Sequence, residues 1–340
     1  MNARPFEPVT GPCVWKGADL AGSDEWIYRL PAAGIAEIDA ALRDVERRNL
    51  DVTQIRREDF PLPSLAADLA RLADAVEEGR GFQLVRGIPV GDYSYEQLRK
   101  IFWGVGLHFG RPVRQTKEGD WFIDVRDEGG TYDQNMRGYH STSALRFHSD
   151  GANYVALLCI NKAREGGLST LVSAAAIHNS FVEAHPEWLA PLYEGFPHDR
   201  RGAEPDGEPR VSPWKLPIFS FTEGRFNCVY DRRSCEWGRE RLGRPMTPQE
   251  MQALDYFDSC TQDPAYRLDM DLLPGDMQVV NNFTVLHSRT AFVDEADPVK
   301  RRHLLRLWLE APHSRRAALN KLHLYTRAPL PEGIPIRPAA

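Results

Sequence analysis

Apolar residues recur every three or four positions in three segments of the N-terminal third of the chain. Residues 32–49 (AAGIAEIDAALRDVERRN), 64–79 (SLAADLARLADAVEEG) and 94–110 (SYEQLRKIFWGVGLHFG) share this spacing, and the second begins with a Ser cap and ends at Gly. A short apolar run at residues 81–90, GFQLVRGIPV, is closed by Gly and Pro. The pattern predicts three amphipathic helices and one core strand.

From residue 111 onward the pattern changes to short apolar runs, with helical spacing only after Ser173 and at residues 247–260. Many short strands with segregated helices predict an α+β fold, of the sandwich or jelly-roll type. We expect one domain over residues 1–340, with a helical extension at 1–75, a core at 76–312 and a Pro-rich tail at 313–340. The predicted strands are WFIDV, NYVALLCI, STLVS, RFNCVY, MQVVNN and RHLLRLWL.

The composition narrows the class of protein. With 340 residues and 42% hydrophobic content, the chain can bury a sizeable core, so we expect a globular protein. A net charge of -6 offers no basic surface for nucleic acid or an anionic membrane. The start of the chain lacks an apolar signal core, no stretch is long enough to cross a bilayer, and the five cysteines are scattered. We therefore expect a cytoplasmic protein, and the sequence leaves homo-oligomerisation open.

Three polar side chains at the ends of apolar runs could hold a metal. In RFHSDG, His148 and Asp150 are two positions apart, so an extended backbone places both on one side. His287 stands just past another apolar strand. Two histidines and one carboxylate on one side of a metal leave other positions open, as in non-haem Fe(II) oxygenases. Taken alone, a histidine and an aspartate two positions apart more often form a surface hydrogen-bonded pair or a turn, and His287 alone is as easily a packed histidine.

Two arginines lie on an apolar side of the last predicted strand, RRHLLRLWLE. Alternation places Arg302 and Arg306 on the side that also carries Leu and Trp. A buried guanidinium without an anion is costly, so both should have partners. These are either local carboxylates such as Asp294, Glu295 and Asp297, or a small carboxylate ligand bound through a bidentate fork.

The motifs GFQLVRGIPV, GVGLHFGRPV, RFHSDG, GGLSTLVS, LPGDMQVVNNFTVLHSRTAF and RRHLLRLWL, in this order, resemble the taurine dioxygenase and TfdA-like family of Fe(II)/2-oxoglutarate-dependent dioxygenases. The resemblance leaves out about the first seventy-five residues and the tail. It implies a double-stranded β-helix, a jelly roll with flanking helices, that uses Fe(II), 2-oxoglutarate and O2. It makes His148, Asp150 and His287 the metal ligands and catalytic residues. By the same resemblance, Arg302 binds the distal carboxylate of 2-oxoglutarate, and the hydroxyl of Ser169 donates a hydrogen bond to this carboxylate.

The same resemblance suggests which residues bind the substrate. Arg306 falls where taurine dioxygenase has an arginine for the anionic group of its substrate, and Gln115 stands near the place of a substrate-binding histidine. The polar segment 127–145 resembles a lid, although an ordinary solvated loop has the same composition. Residues of this segment that could close over substrate are Tyr132, Tyr139 and His140.

The resemblance implies hydroxylation of an unactivated C–H bond, with release of succinate and CO2. Halogenating members of the family lack the carboxylate at the position of Asp150, so its presence favours hydroxylation, with desaturation and ring formation left open. We expect the substrate to be a small organic acid or amino acid. Two alternatives stay open: a zinc-type hydrolase or isomerase on the same fold, which has no need of Arg302, and a non-catalytic protein that binds an organic anion through Arg302 and Arg306.

Overall fold

The computed structural model describes residues 7–129 and 141–311. Within these ranges eight α-helices are observed: α1 (Gly17–Leu20), α2 (Ala32–Arg47), α3 (Leu65–Glu77), α4 (Tyr95–Gly106), α5 (Ala174–Ala184), α6 (Leu189–Glu194), α7 (Arg232–Arg241) and α8 (Pro248–Gln262). The strands of the same ranges are β1 (Ile27–Arg29), β2 (Phe82–Arg86), β3 (Arg111–Val113), β4 (Phe122–Val125), β5 (Tyr154–Asn161), β6 (Glu165–Gly166), β7 (Ser169–Ser173), β8 (Phe219–Thr222), β9 (Arg225–Cys228), β10 (Leu268–Met270), β11 (Met277–Asn281), β12 (Val285–Arg289), β13 (Phe292–Val293) and β14 (His303–Glu310).

Two sheets form the centre of the fold. The larger one has seven strands in the order β1-β2-β11-β5-β14-β3, with β4 also paired to β14. The smaller one has three strands in the order β10-β7-β12. Two further strand pairs, β6 with β13 and β8 with β9, lie outside them. All the pairings are antiparallel except that of β1 with β2. The mixture of helices and mostly antiparallel sheets confirms the predicted α+β class.

Alternation along the strands divides the interior into layers. On β14, Leu305 and Leu307 face a core that they share with α2, α3 and α4, whereas Leu304 and Trp308 face residues of the smaller sheet such as Leu171. The other side of the smaller sheet packs against α5, α6 and α8. The order of layers is therefore helices, larger sheet, smaller sheet, helices. Between the two sheets, the inward side of β14 carries Leu304, Arg306 and Trp308, as the sequence predicts, whereas Arg302 lies just before the strand and lines the same cavity.

Helices α2, α3 and α4 begin within one residue of the predicted positions, but α3 is capped differently from the prediction, and α1, α6 and α7 were not predicted. At the start of α4, Ser94 accepts a hydrogen bond from the backbone N–H of Gln97, and the Gln97 side chain accepts one in return from Ser94 N–H. Ser64 stands at the corresponding position of α3 without a capping bond from its own side chain. The carboxylate of Glu37 instead accepts from the backbone N–H groups of Ser64 and Leu65. A residue of α2 thus supplies the anion that stabilises the start of α3.

The N-terminal extension is part of the same core. Strand β1, which the sequence pattern does not reveal, extends the larger sheet by pairing in parallel with β2. Gly104 of α4 lies against the ring of Phe60. A Cβ at Gly104 would be 2.4 Å from this ring, so only glycine allows the close approach. In the part of the chain that the structure describes, no helix is long and apolar enough to cross a bilayer.

Candidate active site

The backbones of His148 and His287 are hydrogen-bonded directly to each other. His148 N–H donates to His287 O at 3.0 Å, and His287 N–H donates to His148 O at 3.0 Å. His287 is therefore inside strand β12, whereas the sequence pattern placed it just past a strand. The strand predicted at residues 277–282 corresponds to β11, and a short connection joins it to a separate strand, β12, which contains His287. This reciprocal pairing brings two imidazoles that are 139 positions apart to a centroid distance of 4.5 Å.

Asp150 is buried beside the two histidines. Its backbone N–H donates to Oδ1 of Asn282 at 3.0 Å, which fixes the chain just before β5. Its carboxylate accepts a hydrogen bond from Nε1 of Trp308 at 3.0 Å. Nη1 of Arg306 lies at 3.4 and 3.5 Å from the two carboxylate oxygens. The side chain of Asp150 therefore has a defined orientation without any bound ligand.

These three side chains have the geometry of a metal site. One potential ligand atom from each of His148, Asp150 and His287 lies within 4.8 Å of the others, and Nε2 of His287 is 3.7 Å from Oδ2 of Asp150. Nδ1 of His148 is 2.8 Å from the carbonyl oxygen of Arg146, so Nδ1 carries the proton and Nε2 is left as a ligand. Two imidazoles and a carboxylate on one side match the ligand set of Fe(II) oxygenases.

The electrostatic environment keeps Asp150 ionised. Burial alone would raise the pKa of Asp150, but the charge of Arg306, the neighbouring histidines and the hydrogen bond from Trp308 together hold this pKa well below its usual range. A metal ion would therefore meet a carboxylate that is already deprotonated and need not displace a proton from it.

Arg302 lies in the cavity beside this triad with an unsatisfied donor. The residue is 4% exposed, and its Nη1 has no hydrogen-bond partner among the described residues. Burial lowers the pKa of Arg302 to about 10. Of the three carboxylates that the sequence offers as local partners, Asp294 accepts a hydrogen bond from the backbone N–H of Arg302 at 2.7 Å. The guanidinium itself stacks over the ring of Phe292 at 5.3 Å.

Ser169 and Arg289 stand beside Arg302. Ser169 on β7 and Arg289 on β12 are paired directly in the register of these two antiparallel strands. The Ser169 hydroxyl donates to Oε1 of Gln278 at 3.0 Å. Arg289 was not predicted from the sequence, although its position two residues after His287 places both side chains on the same side of β12. Burial and the charge of Arg302 lower the pKa of Arg289 to about 9.

Arg306 has partners within the protein. Its Nε donates to Oε1 of Gln115 at 2.8 Å, and its Nη1 faces Asp150. The amide nitrogen of Gln115 donates to the carbonyl oxygens of Trp121 and Arg306. Gln115 is 4% exposed, and its observed bonds all lie inside the protein, so the structure places it behind Arg306 and not at the wall of the cavity. The predicted substrate residue Gln115 thus holds Arg306, which does line the cavity.

A cavity opens to solvent above these residues. Its wall includes the metal triad, Ser169, Trp308 and two aspartates, Asp150 and Asp231. The other charged side chains in the wall are seven arginines: Arg146, Arg201, Arg232, Arg233, Arg289, Arg302 and Arg306. The cavity is thus strongly cationic.

Of the predicted lid, residues 141–145 are described and lead into the site; Tyr132, Tyr139 and His140 lie outside the described residues.

Comparison with known proteins identifies the class. The family described as "Taurine catabolism dioxygenase TauD, TfdA family" matches residues 46–308. FR-33289 synthase of Streptomyces rubellomurinus is 34% identical over 314 residues, which cover 91% of this chain and 92% of that protein. Uridine-5'-phosphate dioxygenase of an Amycolatopsis species is 29% identical over 260 residues, covering 72% and 90% of the two chains.

Solved structures share the fold. Asparagine oxygenase in complex with Fe(II), 2S,3S-3-hydroxyasparagine and succinate superimposes with a TM-score of 0.67 at 16% identity, covering 84% of this chain and 94% of that one. The non-haem iron oxygenase OrfP in complex with Fe, succinate and (3R,4R)-dihydroxy-L-Arg gives a TM-score of 0.62 at 13% identity, with coverage of 84% and 94%.

The fold and the site together define a non-haem oxygenase that depends on Fe(II) and 2-oxoglutarate. The chain belongs to the TauD/TfdA family, and it is an Fe(II)/2-oxoglutarate-dependent dioxygenase that uses O2. This membership confirms the predicted enzyme class over the zinc-type hydrolase and the non-catalytic anion-binding protein.

Proposed function

We propose that this enzyme hydroxylates an unactivated C–H bond in a small organic acid or amino acid whose anionic end is bound by arginine. The observation that carries the proposal is the cationic wall of the cavity, where seven arginines accompany two aspartates. One of the seven, Arg232, is balanced by Glu236, Asp255 and Asp258, and Arg306 faces Asp150. Arg289 and Arg302, by contrast, have buried donors without a hydrogen-bond partner among the described residues, and a cationic wall favours an anionic ligand.

In this proposal His148, Asp150 and His287 hold Fe(II). When bound, Fe(II) with 2-oxoglutarate and O2 supplies the oxidising power for hydroxylation of a C–H bond, with succinate and CO2 as the other products. The protein contributes fixed ligands: the backbone pairing of the two histidines and the contacts of Asp150 with Trp308 and Arg306 hold the donor atoms in place. The two sheets that meet at this site are, in our interpretation, the halves of a double-stranded β-helix.

The same proposal assigns the distal carboxylate of 2-oxoglutarate to Arg302. The buried Nη1 of Arg302 needs an acceptor, and the carboxylate supplies one in a site shielded from water. Ser169 supports it through its hydroxyl, which can turn from Gln278 toward the ligand because a hydroxyl has one rotatable donor.

Arg306 is proposed to orient the anionic end of the substrate. Gln115 holds Nε of Arg306, so the guanidinium is fixed before substrate binds. Related proteins support a small anionic substrate: one acts on uridine 5'-phosphate, and the structure of another contains 3-hydroxyasparagine. Described residues 141–145 at one end of the predicted lid lie beside the same cavity, and Leu145 is part of its wall.

A substrate screen tests the function. The enzyme with Fe(II), 2-oxoglutarate and O2 is offered carboxylates, amino acids, sulfonates, phosphonates and phosphate esters, each paired with its neutral amide or ester as a matched control. We expect succinate release coupled to product formation for an anionic compound and much less for its neutral partner. A preferred substrate that is neutral or cationic would contradict the proposed role of the arginines while leaving the enzyme class intact.

A further inference from the structure

The co-substrate end of the cavity contains a second buried guanidinium, that of Arg289. Arg289 and Arg302 are each 4% exposed. Their central carbons lie 4.7 and 5.3 Å from the centroid of the Phe292 ring, so the two carbons are at most about 10 Å apart. Both residues line the same cavity as Ser169. Two like charges are thus held close together in a site that excludes most water.

The two guanidiniums have donors that the described part of the protein does not satisfy. Nε and Nη1 of Arg289 and Nη1 of Arg302 are buried without a hydrogen-bond partner among the described residues. Leaving charged donors unsatisfied in the interior is expensive, and it is tolerated where a ligand supplies the acceptors. The three donors therefore indicate an anion between the two arginines.

The remaining nitrogen of Arg289 anchors the side chain. Nη2 donates to the carbonyl oxygens of Ser141, at 2.7 Å, and Ser143. This attachment fixes the guanidinium while Nε and Nη1 stay available. Asp294, whose charge raises the pKa of both arginines, uses Oδ1 to accept from the backbone N–H of Arg302, and among the described residues it forms no ion pair with either guanidinium.

We infer that Arg289 is a second ligand of the distal carboxylate of 2-oxoglutarate, so that this carboxylate is held between two arginines and not by Arg302 alone. The inference rests on the proposed role of Arg302. A carboxylate has two oxygens and about four acceptor positions, enough for donors from both guanidiniums and from Ser169. Arg289 thereby selects co-substrates that carry a second carboxylate.

A comparison of two keto acids isolates this role. 2-Oxoglutarate and 2-oxobutyrate share the keto-acid end, but only 2-oxoglutarate has the distal carboxylate. Their dissociation constants are measured anaerobically with the Fe(II) enzyme through the visible absorption of the metal–keto acid complex, without turnover. The proteins compared are the wild type, Arg289→Gln, Arg289→Lys and Arg302→Gln. Arg111→Gln is the control, because Arg111 is an exposed arginine paired with Glu310.

For Arg289→Gln we expect 2-oxoglutarate to bind on the order of 10- to 100-fold more weakly, because a charge-assisted hydrogen bond in a dry site is lost. Binding of 2-oxobutyrate should change by no more than about a factor of two, since it has no distal carboxylate to lose a contact. Arg289→Lys should fall between Gln and the wild type, and Arg111→Gln should match the wild type.

Equal weakening of both keto acids, or weakening of neither, would show that Arg289 only fastens Ser141 and Ser143, and would overturn the inference. If Arg302→Gln alone loses the preference for 2-oxoglutarate, the site assignment stands and only the role of Arg289 is wrong. If both Gln variants keep the preference, the co-substrate site itself is wrongly placed. Should Arg289→Gln fail to fold, the comparison is made with Arg289→Lys.

Discussion

Trp308 donates a hydrogen bond from its indole Nε1 to Oδ2 of Asp150 over 3.0 Å. The ring is held in place by Gly151, where a Cβ would lie 2.6 Å from Cζ3 of Trp308. Trp308 is on β14 and Asp150 precedes β5, so the two paired strands determine both partners of this bond. An aromatic residue that is not itself a metal ligand thus orients the one carboxylate of the triad.

The variant Trp308→Phe should bind Fe(II) roughly tenfold more weakly or worse, because the ring remains but the donor to Asp150 is lost. Metal titration followed by activity at saturating iron measures the change. Trp103→Phe is the matched control, because Trp103 is also buried and donates from Nε1 to Ile55 O at 3.0 Å away from the site. If both variants bind the metal like the wild type, Trp308 does not orient Asp150.

Removal of either histidine of the triad should abolish metal binding without unfolding the protein. In His148→Ala and His287→Ala the two backbone hydrogen bonds between these positions remain, since they need no side chain. We expect no Fe(II) binding and no turnover, with an unchanged circular dichroism spectrum. His185→Ala, which removes an imidazole stacked on Trp188, is the control and should bind iron normally. Normal turnover by either triad variant would remove that histidine from the metal site.

The sequence predicted the strand-borne part of this site well, because alternation determines which side chains share a side. It placed Arg302 and Arg306 toward one side of the last strand, and the structure has both in the cavity wall, although β14 begins one residue after Arg302. The order of the motifs identified the triad residues that the structure groups within 4.8 Å. The long helices α2, α3 and α4 were also predicted to within a few residues, since each has an apolar side several turns long.

Other features could not be predicted from local pattern. The cap of α3 comes from Glu37 on another helix, and β1 has only three residues and depends on its pairing with β2. Arg289 is two residues from His287, but its burial beside Arg302 depends on the register of β7 with β12. Gln115 was assigned to substrate, yet its amide bonds to Arg306 because β3 and β14 are adjacent. Tertiary contacts, not propensity, decide such cases.

Gln115→Leu should raise the substrate KM about tenfold, because Nε of Arg306 loses the buried acceptor that orients it. The 2-oxoglutarate requirement should stay near that of the wild type, since Arg302 is held by other contacts. Gln115→Glu, which keeps an acceptor for Arg306, should recover part of the loss. The control is Gln83→Leu, which removes another buried amide that donates to Trp26 O. If Gln115→Leu raises the KM for the substrate and the KM for 2-oxoglutarate equally, the variant has a general loss of structure.

Stability below neutral pH should depend on His108, which follows α4 and is buried. Burial and then the charge of Arg57 lower the pKa of His108 from 6.5 to about 4. Between these two values the unfolded chain binds a proton that the folded protein does not, so stability is lost as the pH falls from 6.5 to 4.

From pH 7 to pH 5 this single group should cost about 2 kcal/mol of unfolding free energy. His108→Leu should therefore lose about 2 kcal/mol less than the wild type over that interval, whatever its stability at neutral pH. Urea unfolding at a series of pH values measures the difference. Well above pH 6.5 the two proteins should have parallel pH dependences, because His108 is then neutral in both the folded and the unfolded state. Parallel curves down to pH 5 would mean that His108 is protonated inside the fold as readily as in water.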